Sequence, residues 1–321
     1  MHRVDVLICG SNYGRVYFDA LRLSSSRFRI AGLLARGSAR SISLAREHHV
    51  PLFRKVEEIP PGVELACAAL GMDAAAVVLA LLRRGIHVLC EHPQGSSFLR
   101  RALRAASRAG VCFHLNAHFS DLPPARAFVR QARLRNAKEA PRFVHAMATD
   151  RSLYSLGDVL RRALGDLEPF SAESVSRGPL LGALCGRIGR VDLLLQLQDW
   201  RKVAGALLPD GSPLYLVDHR IALGFASGTL TLFSVAGPVI WNSNLHHAVA
   251  QRGPVWKHSG AKTGPGYREL YDMRLRANLA AASALAHHAA GSAPPLEQSS
   301  PHILGVSRFW ERVSRSFVPS P

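Results

Sequence analysis

No stretch of the 321-residue chain reaches the roughly 18 consecutive apolar residues that a membrane-spanning helix requires, so no membrane span is expected. The opening segment, MHRVDVLICG, runs directly into a strand-like pattern without a separate apolar region or small-residue cleavage site, and no signal peptide is expected. The five cysteines form no CxxC pair, which argues against zinc and thioredoxin-like chemistry. Cys9, Cys67, Cys90 and Cys112 sit in apolar, strand-like runs and read as small core residues, and an odd, unpatterned set with Cys185 suits a reducing cytoplasm. The histidine pairs His246-His247 and His287-His288 are adjacent rather than spaced i, i+4, so no metal site is expected. Acidic residues are scarce, 23 against 40 Lys and Arg, for a net charge of +17. Residues 100–162 hold thirteen Lys or Arg and four Asp or Glu. Such a balance speaks of partners rather than fold. An acidic protein is one candidate. Nucleic acid is not expected, because no interleaved aromatics or recognised module accompany the charge.

Hydrophobic residues make up 48% of the chain, enough for a sizeable core, and the length suggests two domains. In the first half, Arg3–Cys9, Phe28–Leu34, Leu65–Leu70, Ile86–Cys90 and Val111–Asn116 are short apolar runs. Between them lie helix-like segments over Gly14–Leu23, Ala39–His48, Asp73–Arg84 and Phe98–Ala109. Alternation of this kind predicts βαβ units, hence a doubly wound parallel sheet over residues 1–120. In the second half, Pro123–Ala140 reads as a basic helix with Arg126, Arg130 and Arg133 on one face, Arg142–Thr149 as a strand and Leu153–Leu164 as a helix. Alternation in Val191–Gln198, then Thr229–Val235 and Pro238–Asn242, predicts strands without intervening helices. Residues 121–321 are therefore expected to form an α+β domain with a mixed or antiparallel sheet. Gly253–Gly266 reads as a mobile loop, Leu270–Ala290 and Ile303–Phe317 as helices and Ser292–Pro301 as a linker. Asp158 and Asp166 read as surface or cap residues, and Trp241 as a packing residue.

The strongest chemical signal follows the first strand: Gly10-Ser11-Asn12-Tyr13-Gly14. A glycine at a strand end permits a tight turn, and the following helix N-terminus presents free N–H groups to a pyrophosphate. The spacing is GxxxG; Asn12 and Arg15 stand where GxGxxG would have glycines. An NAD enzyme usually places an acid at the end of the second strand for the ribose hydroxyls. Here Ala35-Arg36-Gly37-Ser38-Ala39-Arg40 contains none. Arg36 and Arg40, with Ser38, suit a 2′-phosphate instead, which favours NADPH over NADH.

Several further segments stand in order along the chain: Gly85-Ile86-His87-Val88-Leu89-Cys90-Glu91-His92-Pro93, Leu153-Tyr154-Ser155, Gly237-Pro238-Val239-Ile240-Trp241-Asn242-Ser243 and Ser307-Arg308-Phe309-Trp310. With the two loops above, they resemble the thiazolinyl imide reductases of siderophore biosynthesis. That family lies within the wider glucose-fructose oxidoreductase and inositol dehydrogenase-like group, whose members usually carry Glu-Lys-Pro where this chain has Glu91-His92-Pro93. The resemblance implies NADPH-dependent reduction of a thiazoline C=N bond to a thiazolidine. The substrate would be tethered to the phosphopantetheine arm of a nonribosomal peptide synthetase carrier domain, on the way to a yersiniabactin- or pyochelin-like siderophore. It further implies that the second domain's sheet covers the site and mediates a homodimer. Glu91 is assigned to positioning the cofactor. His92, at the end of the fourth apolar run and able to carry a proton near neutrality, is the leading proton donor. Carrier domains are typically acidic, so the Arg126/Arg130/Arg133 face is a candidate docking surface.

Two departures stand out. Relatives carry a tyrosine shortly after the fifth strand; here the aligned residue in Asn116-Ala117-His118-Phe119 is Phe119, which has no proton to give. His118 is the substitute donor from the neighbouring position, and Tyr154 is a further acid candidate. The loop after the third strand, Leu70-Gly71-Met72-Asp73, is shorter than in relatives and lacks their Arg-Ser and Gly-Gly element. These departures leave open a non-catalytic scaffold or assembly partner of the synthetase. A sugar or small-molecule dehydrogenase is also open, though it lacks the lysine at position 92.

Overall fold

A computed structural model describes residues 3–71, 74–178, 180–199, 218–246, 256–259 and 264–317. The chain divides into two compact units, Met1–His118 with Tyr271–Leu304, and Phe119–Leu270 with Gly305–Pro321. Sequence reading assigned everything after residue 120 to one domain. The chain instead returns a C-terminal segment to the first unit.

The first unit is built on a parallel sheet of β1 (Val4–Cys9), β2 (Phe28–Leu34), β3 (Leu52–Phe53), β4 (Leu65–Ala68), β5 (His87–Glu91) and β6 (Phe113–Asn116), in the order β3-β2-β1-β4-β5-β6. Helices α1 (Gly14–Arg22), α2 (Ala39–Glu47), α3 (Ala74–Arg83) and α4 (Ser96–Ala109) form the crossovers. Parallel strands covered on both faces read as continuous apolar runs, and Val6–Cys9 and Ala66–Ala68 are fully buried. Cys9, Cys67 and Cys90 belong to this core, Cys112 is half-buried, and all are unpaired. The strand order reverses between β1 and β4, the position at which open α/β sheets bind ligands.

The returning segment completes this unit. From Tyr271 onward, α7 (Tyr267–Ala289) packs Leu275 against Val16 and Ala20, and buries Ala282 and Leu285 in the cluster that holds Phe18 and Leu21. Further along, the Gln298 amide donates to the Leu115 carbonyl (3.0 Å) and accepts from the Leu115 N–H (2.8 Å), at the sheet's terminal strand.

The second unit contains an eight-stranded mixed sheet in the order β14-β13-β12-β11-β7-β10-β9-β8. Its strands are β7 (Phe143–Thr149), β8 (Phe170–Arg177), β9 (Leu181–Ile188), β10 (Val191–Gln198), β11 (His219–Phe225), β12 (Gly228–Leu232), β13 (Val239–Ser243) and β14 (Trp256–Ser259). Only β7 and β10 pair in parallel; the other neighbours are antiparallel. Alternation sets the faces: Leu193, Leu195 and Leu197 of β10 are buried, whereas Asp192 and Leu194 are exposed. The buried face shares one core with α5 (Pro123–Asn136), α6 (Leu153–Leu164) and the Phe309 and Val313 positions of α8 (Ser300–Phe317).

Three expectations change here. Part of the expected loop 253–266 is the edge strand β14, while residues 253–255 and 260–263 lie outside the described residues. The expected linker 292–301 contains a short turn of helix over Leu296–Gln298 and the start of α8. Asp158 is a buried ion-pair partner rather than a surface residue. It lies 2.8 Å from Arg162, one helical turn on, and Arg162 also reaches Asp121 at 2.6 Å. Burying that guanidinium would be costly without both carboxylates.

Candidate active site

The turn after β1 needs glycine at its first position for two reasons. Gly10 has φ +93°, and a Cβ placed on it would stand 2.3 Å from the carbonyl oxygen of Ala69. Gly14, opening α1, has Ile8 Cγ2 only 3.1 Å from where its Cβ would be. The N-cap residue of α1, Tyr13, makes no side-chain cap; the Val16 N–H goes to the Tyr13 carbonyl at 2.9 Å, and the N–H groups of Gly14 and Arg15 are left uncapped by the Tyr13 side chain. A backbone cradle that excludes side chains and leaves helix donors open suits a pyrophosphate. Ser11 is half-buried and Asn12 exposed in this turn.

The second predicted loop begins where Ala35 donates its N–H to Phe53 O at 2.9 Å. Arg36 and Arg40 are exposed, Gly37 has φ +83°, and Ser38 caps α2 by accepting from the Ser41 N–H. Among the described residues neither arginine has a carboxylate partner, so both are available to an anion.

Tyr13 departs from the expected pattern. Its side chain turns inward, away from a role confined to the turn, and its hydroxyl lies 3.0 Å from His118 Nε2. Around this contact the C-terminal ends of β5 and β6 assemble a buried polar cluster. Glu91 accepts from the Tyr17 hydroxyl and, at 2.7 Å, from the Asn116 amide. That amide also lies 2.7 Å from Asn278 Oδ1, and the Asn278 amide donates to the Tyr13 hydroxyl at 3.2 Å. His92 Nδ1 lies 2.6 Å from the carbonyl oxygen of Asn116. Glu91 Oε2 is 3.7 Å from His92 Nδ1 and 3.8 Å from His118 Nδ1.

Burial dominates the electrostatics. It pushes the Glu91 carboxyl up to about 7, against the opposing hydrogen bonds from Tyr17 and Asn116 and the charge of Arg274. It holds His118 well below the ordinary histidine range, with help from repulsion by His92 and Arg274. It also raises both tyrosines, Glu91 adding to the effect. The site therefore holds a neutral His118 beside a carboxyl poised near neutrality.

Glu91, His92 and His118 also bring one ligand atom each within 4.8 Å of one another, a spacing compatible with a metal ion. Sequence reading found no metal pattern because these residues are 1 and 26 positions apart and meet only in the fold. His92 Nδ1 is already engaged by the Asn116 carbonyl.

Two other predicted residues lie elsewhere. Tyr154 is 2% exposed in α6 of the second unit, 6.3 Å from the Trp310 ring. Phe119, the first residue of the second unit, is buried. Trp241 is buried with the Arg135 guanidinium 3.2 Å over its ring, a packing role.

Residues 4–117 match the family described as oxidoreductase, NAD-binding Rossmann fold, and residues 139–242 match the thiazolinyl imine reductase Irp3-like C-terminal domain. The chain belongs to this oxidoreductase family and carries a thiazolinyl imine reductase-like C-terminal domain. The protein is thus an oxidoreductase of the dinucleotide-binding type. No curated protein matches the sequence. Among solved structures, a variant of a 3-ketoreductase from Actinomadura kijaniata in complex with TDP-benzene and NADP is similar at 15% identity. It covers 98% of each chain with a TM-score of 0.72. GenD2 from gentamicin A biosynthesis, in complex with NAD, is similar at 15% identity over 98% of this chain and 94% of its own, TM-score 0.71. An oxidoreductase from Agrobacterium radiobacter in complex with NAD+, L-tartaric acid and magnesium shares 12% identity over 98% and 96%, TM-score 0.73. At these identities the structural likeness concerns the fold alone.

Within this oxidoreductase, sequence reasoning missed Tyr17, Asn278 and Arg274 as neighbours of the site. Asn278 had one signal: an amide in an Ala-rich helix, where propensity disfavours it and a buried partner would explain it.

Proposed function

We propose that the protein reduces the C=N bond of a thiazoline to a thiazolidine at the expense of NADPH. The thiazoline would be presented on the phosphopantetheine arm of a nonribosomal peptide synthetase carrier domain during siderophore assembly in the cytoplasm. The observation that carries this reading is the joining of a thiazolinyl imine reductase-like second domain to a Rossmann unit in which histidine replaces the usual lysine after Glu91. The Gly10 cradle and the acid-free Arg36–Arg40 loop support a phosphorylated dinucleotide.

When bound, the cofactor supplies a hydride to the ring carbon. The chain's task is to hand a proton to the ring nitrogen, which accepts electron density more readily once protonated. His92 is held through Nδ1 by the Asn116 carbonyl, which leaves Nε2 as the position for the transferable proton. Glu91, 3.7 Å away, favours the imidazolium before transfer. Afterwards a proton returns to His92 from the neighbouring Glu91 carboxyl, 3.7 Å away, which also lies 3.8 Å from the neutral His118 that Tyr13 hydrogen-bonds. The hydride on carbon and the proton on nitrogen together complete the two-electron reduction. Phe119 has no hydroxyl, whereas within the first unit the Tyr13 phenol meets His118.

Partner contacts belong to the same proposal. Arg126 and Arg130 of α5 are exposed and offer a basic row to an acidic carrier domain, whereas Arg133 donates to the Arg162 carbonyl at 2.7 Å and is tied down. The open face of the eight-stranded sheet exposes Phe143, Leu181 and Leu194, apolar side chains that a second copy would cover in a homodimer.

The test is turnover of a synthetic thiazoline thioester, followed by loss of NADPH absorbance, with nucleotide binding measured separately. Reduction to the thiazolidine supports the reading. Nucleotide binding without turnover of the carrier-bound thiazoline moves the substrate elsewhere in the family. No binding of either nucleotide leaves the scaffold role.

A further inference from the structure

A third guanidinium approaches the loop that carries Arg36 and Arg40. Arg54 directly follows β3, which pairs in parallel with β2 so that Phe53 lies beside Leu34. The two chains therefore leave the sheet side by side, Ala35 and Arg36 from one strand and Arg54 from the next. The backbone N–H of Arg54 donates to Glu58 at 2.7 Å, which fixes the exit of the chain. The side chain then crosses to the β2–α2 loop. A Cβ placed on Gly37 would stand 2.9 Å from Arg54 Nε and 3.3 Å from its Cζ. Gly37 thus serves two ends: it adopts φ +83°, and it leaves space for a guanidinium against the loop backbone.

Among the described residues the guanidinium groups of Arg54, Arg36 and Arg40 form no ion pair; the Glu58 carboxylate is taken by the backbone N–H of Arg54. Arg36 and Arg40 are exposed on this loop and the Arg54 guanidinium lies against its Gly37, so a bound anion would be attracted by all three. The α2 N-terminus at Ser38 contributes in the same direction. A phosphate dianion takes paired N–H donors from a planar guanidinium.

We infer that Arg54 is a ligand of the 2′-phosphate on the adenosine ribose, and that it acts with Arg36 in setting the preference for NADPH over NADH. The inference rests on the cofactor reading proposed above and adds a residue from a different strand to it. A guanidinium stacked on the adenine ring instead would serve both nucleotides equally, and this separates the two roles.

The experiment is titration of the full-length protein with NADPH, NADH and adenosine 2′,5′-bisphosphate, as wild type, Arg54→Ala and Arg36→Ala. Loss of a charge-assisted contact predicts a roughly 10- to 100-fold weaker Kd for NADPH and the bisphosphate in Arg54→Ala. NADH binding should stay within about twofold, which also reports that the variant is folded. Equal weakening of NADH and NADPH, or no change in either, overturns the inference while leaving a wild-type preference for NADPH intact. A wild-type protein that binds both nucleotides alike overturns the cofactor reading and the role of Arg54 with it.

Discussion

The carbonyl oxygen of Asn116 lies 2.6 Å from Nδ1 of His92. A carbonyl only accepts, so the proton of the neutral imidazole resides on Nδ1 and the lone pair on Nε2. The last residue of β6 thereby selects the tautomer of a residue that follows β5, and strand pairing sets the aim of the ring. If His92 is the proton donor, His92→Ala lowers kcat by about 10²-fold with little change in nucleotide Kd. Steady-state turnover beside a fluorescence titration checks both halves; an unchanged rate assigns the proton to another group.

Tyr13→Phe removes the hydroxyl that meets His118 and Asn278. The buried Asn278 amide is left one partner short, which costs about 1–3 kcal/mol of stability. If the phenol belongs to the proton route, kcat falls as well, and its pH dependence changes. Denaturant melts and a pH–rate profile separate the two effects. A stability loss with an unaltered profile reduces Tyr13 to a packing and hydrogen-bonding role.

Glu91 makes stability depend on pH in a defined direction. Its folded pKa of about 7 lies above the ordinary carboxyl value of 4.5, so between these pH values the folded state binds the extra proton. Its contribution is therefore full below about pH 4.5 and is lost as pH rises through 7, by on the order of 3 kcal/mol. His118 works oppositely: held neutral, it contributes fully above its ordinary 6.5 and loses that contribution as pH falls below it. Glu91→Gln should abolish the decline on the alkaline side and leave the acid-side loss. Urea unfolding of both proteins between pH 5 and 8 reads the difference, and parallel curves would falsify the raised carboxyl.

Gly10→Ala places a methyl group against the Ala69 carbonyl and forces an L-residue to φ +93°. Strain of this kind costs on the order of 1–3 kcal/mol, and the displaced turn should weaken binding of both nucleotides together. Calorimetric titration with NADH and NADPH distinguishes it from Arg54→Ala, which is expected to affect one nucleotide only. A variant that binds both nucleotides normally would mean that the turn does not form the cradle.

The first sheet was legible because parallel strands buried on both faces are apolar throughout, as in Val6–Cys9. Its missing member, β3, is two residues long and carries no periodicity, and with it Arg54 went unnoticed. In the second unit, β8 is mostly exposed, so Phe170–Arg177 lacked the alternation that betrayed β10. The two glycine-bearing loops at the ends of β1 and β2 could be read from spacing alone. The inward turn of Tyr13 could not, since nothing in a sequence fixes which way a side chain leaves a turn. Asn278 lies 160 positions beyond His118, and only the returning helix brings it to the cluster.

The two bonds between Gln298 and the backbone of Leu115 give the last strand the partners that a seventh strand would otherwise provide. An unprotected edge of this kind invites pairing with foreign strands. A fragment cut near residue 120, where the sequence pattern ends the Rossmann half, would lose this stopper together with Asn278 and the apolar cover of Leu275 and Leu285. Such a fragment would be sticky and poorly folded, so the Rossmann unit of this protein is not a detachable module: its closing pieces are encoded more than 150 residues downstream.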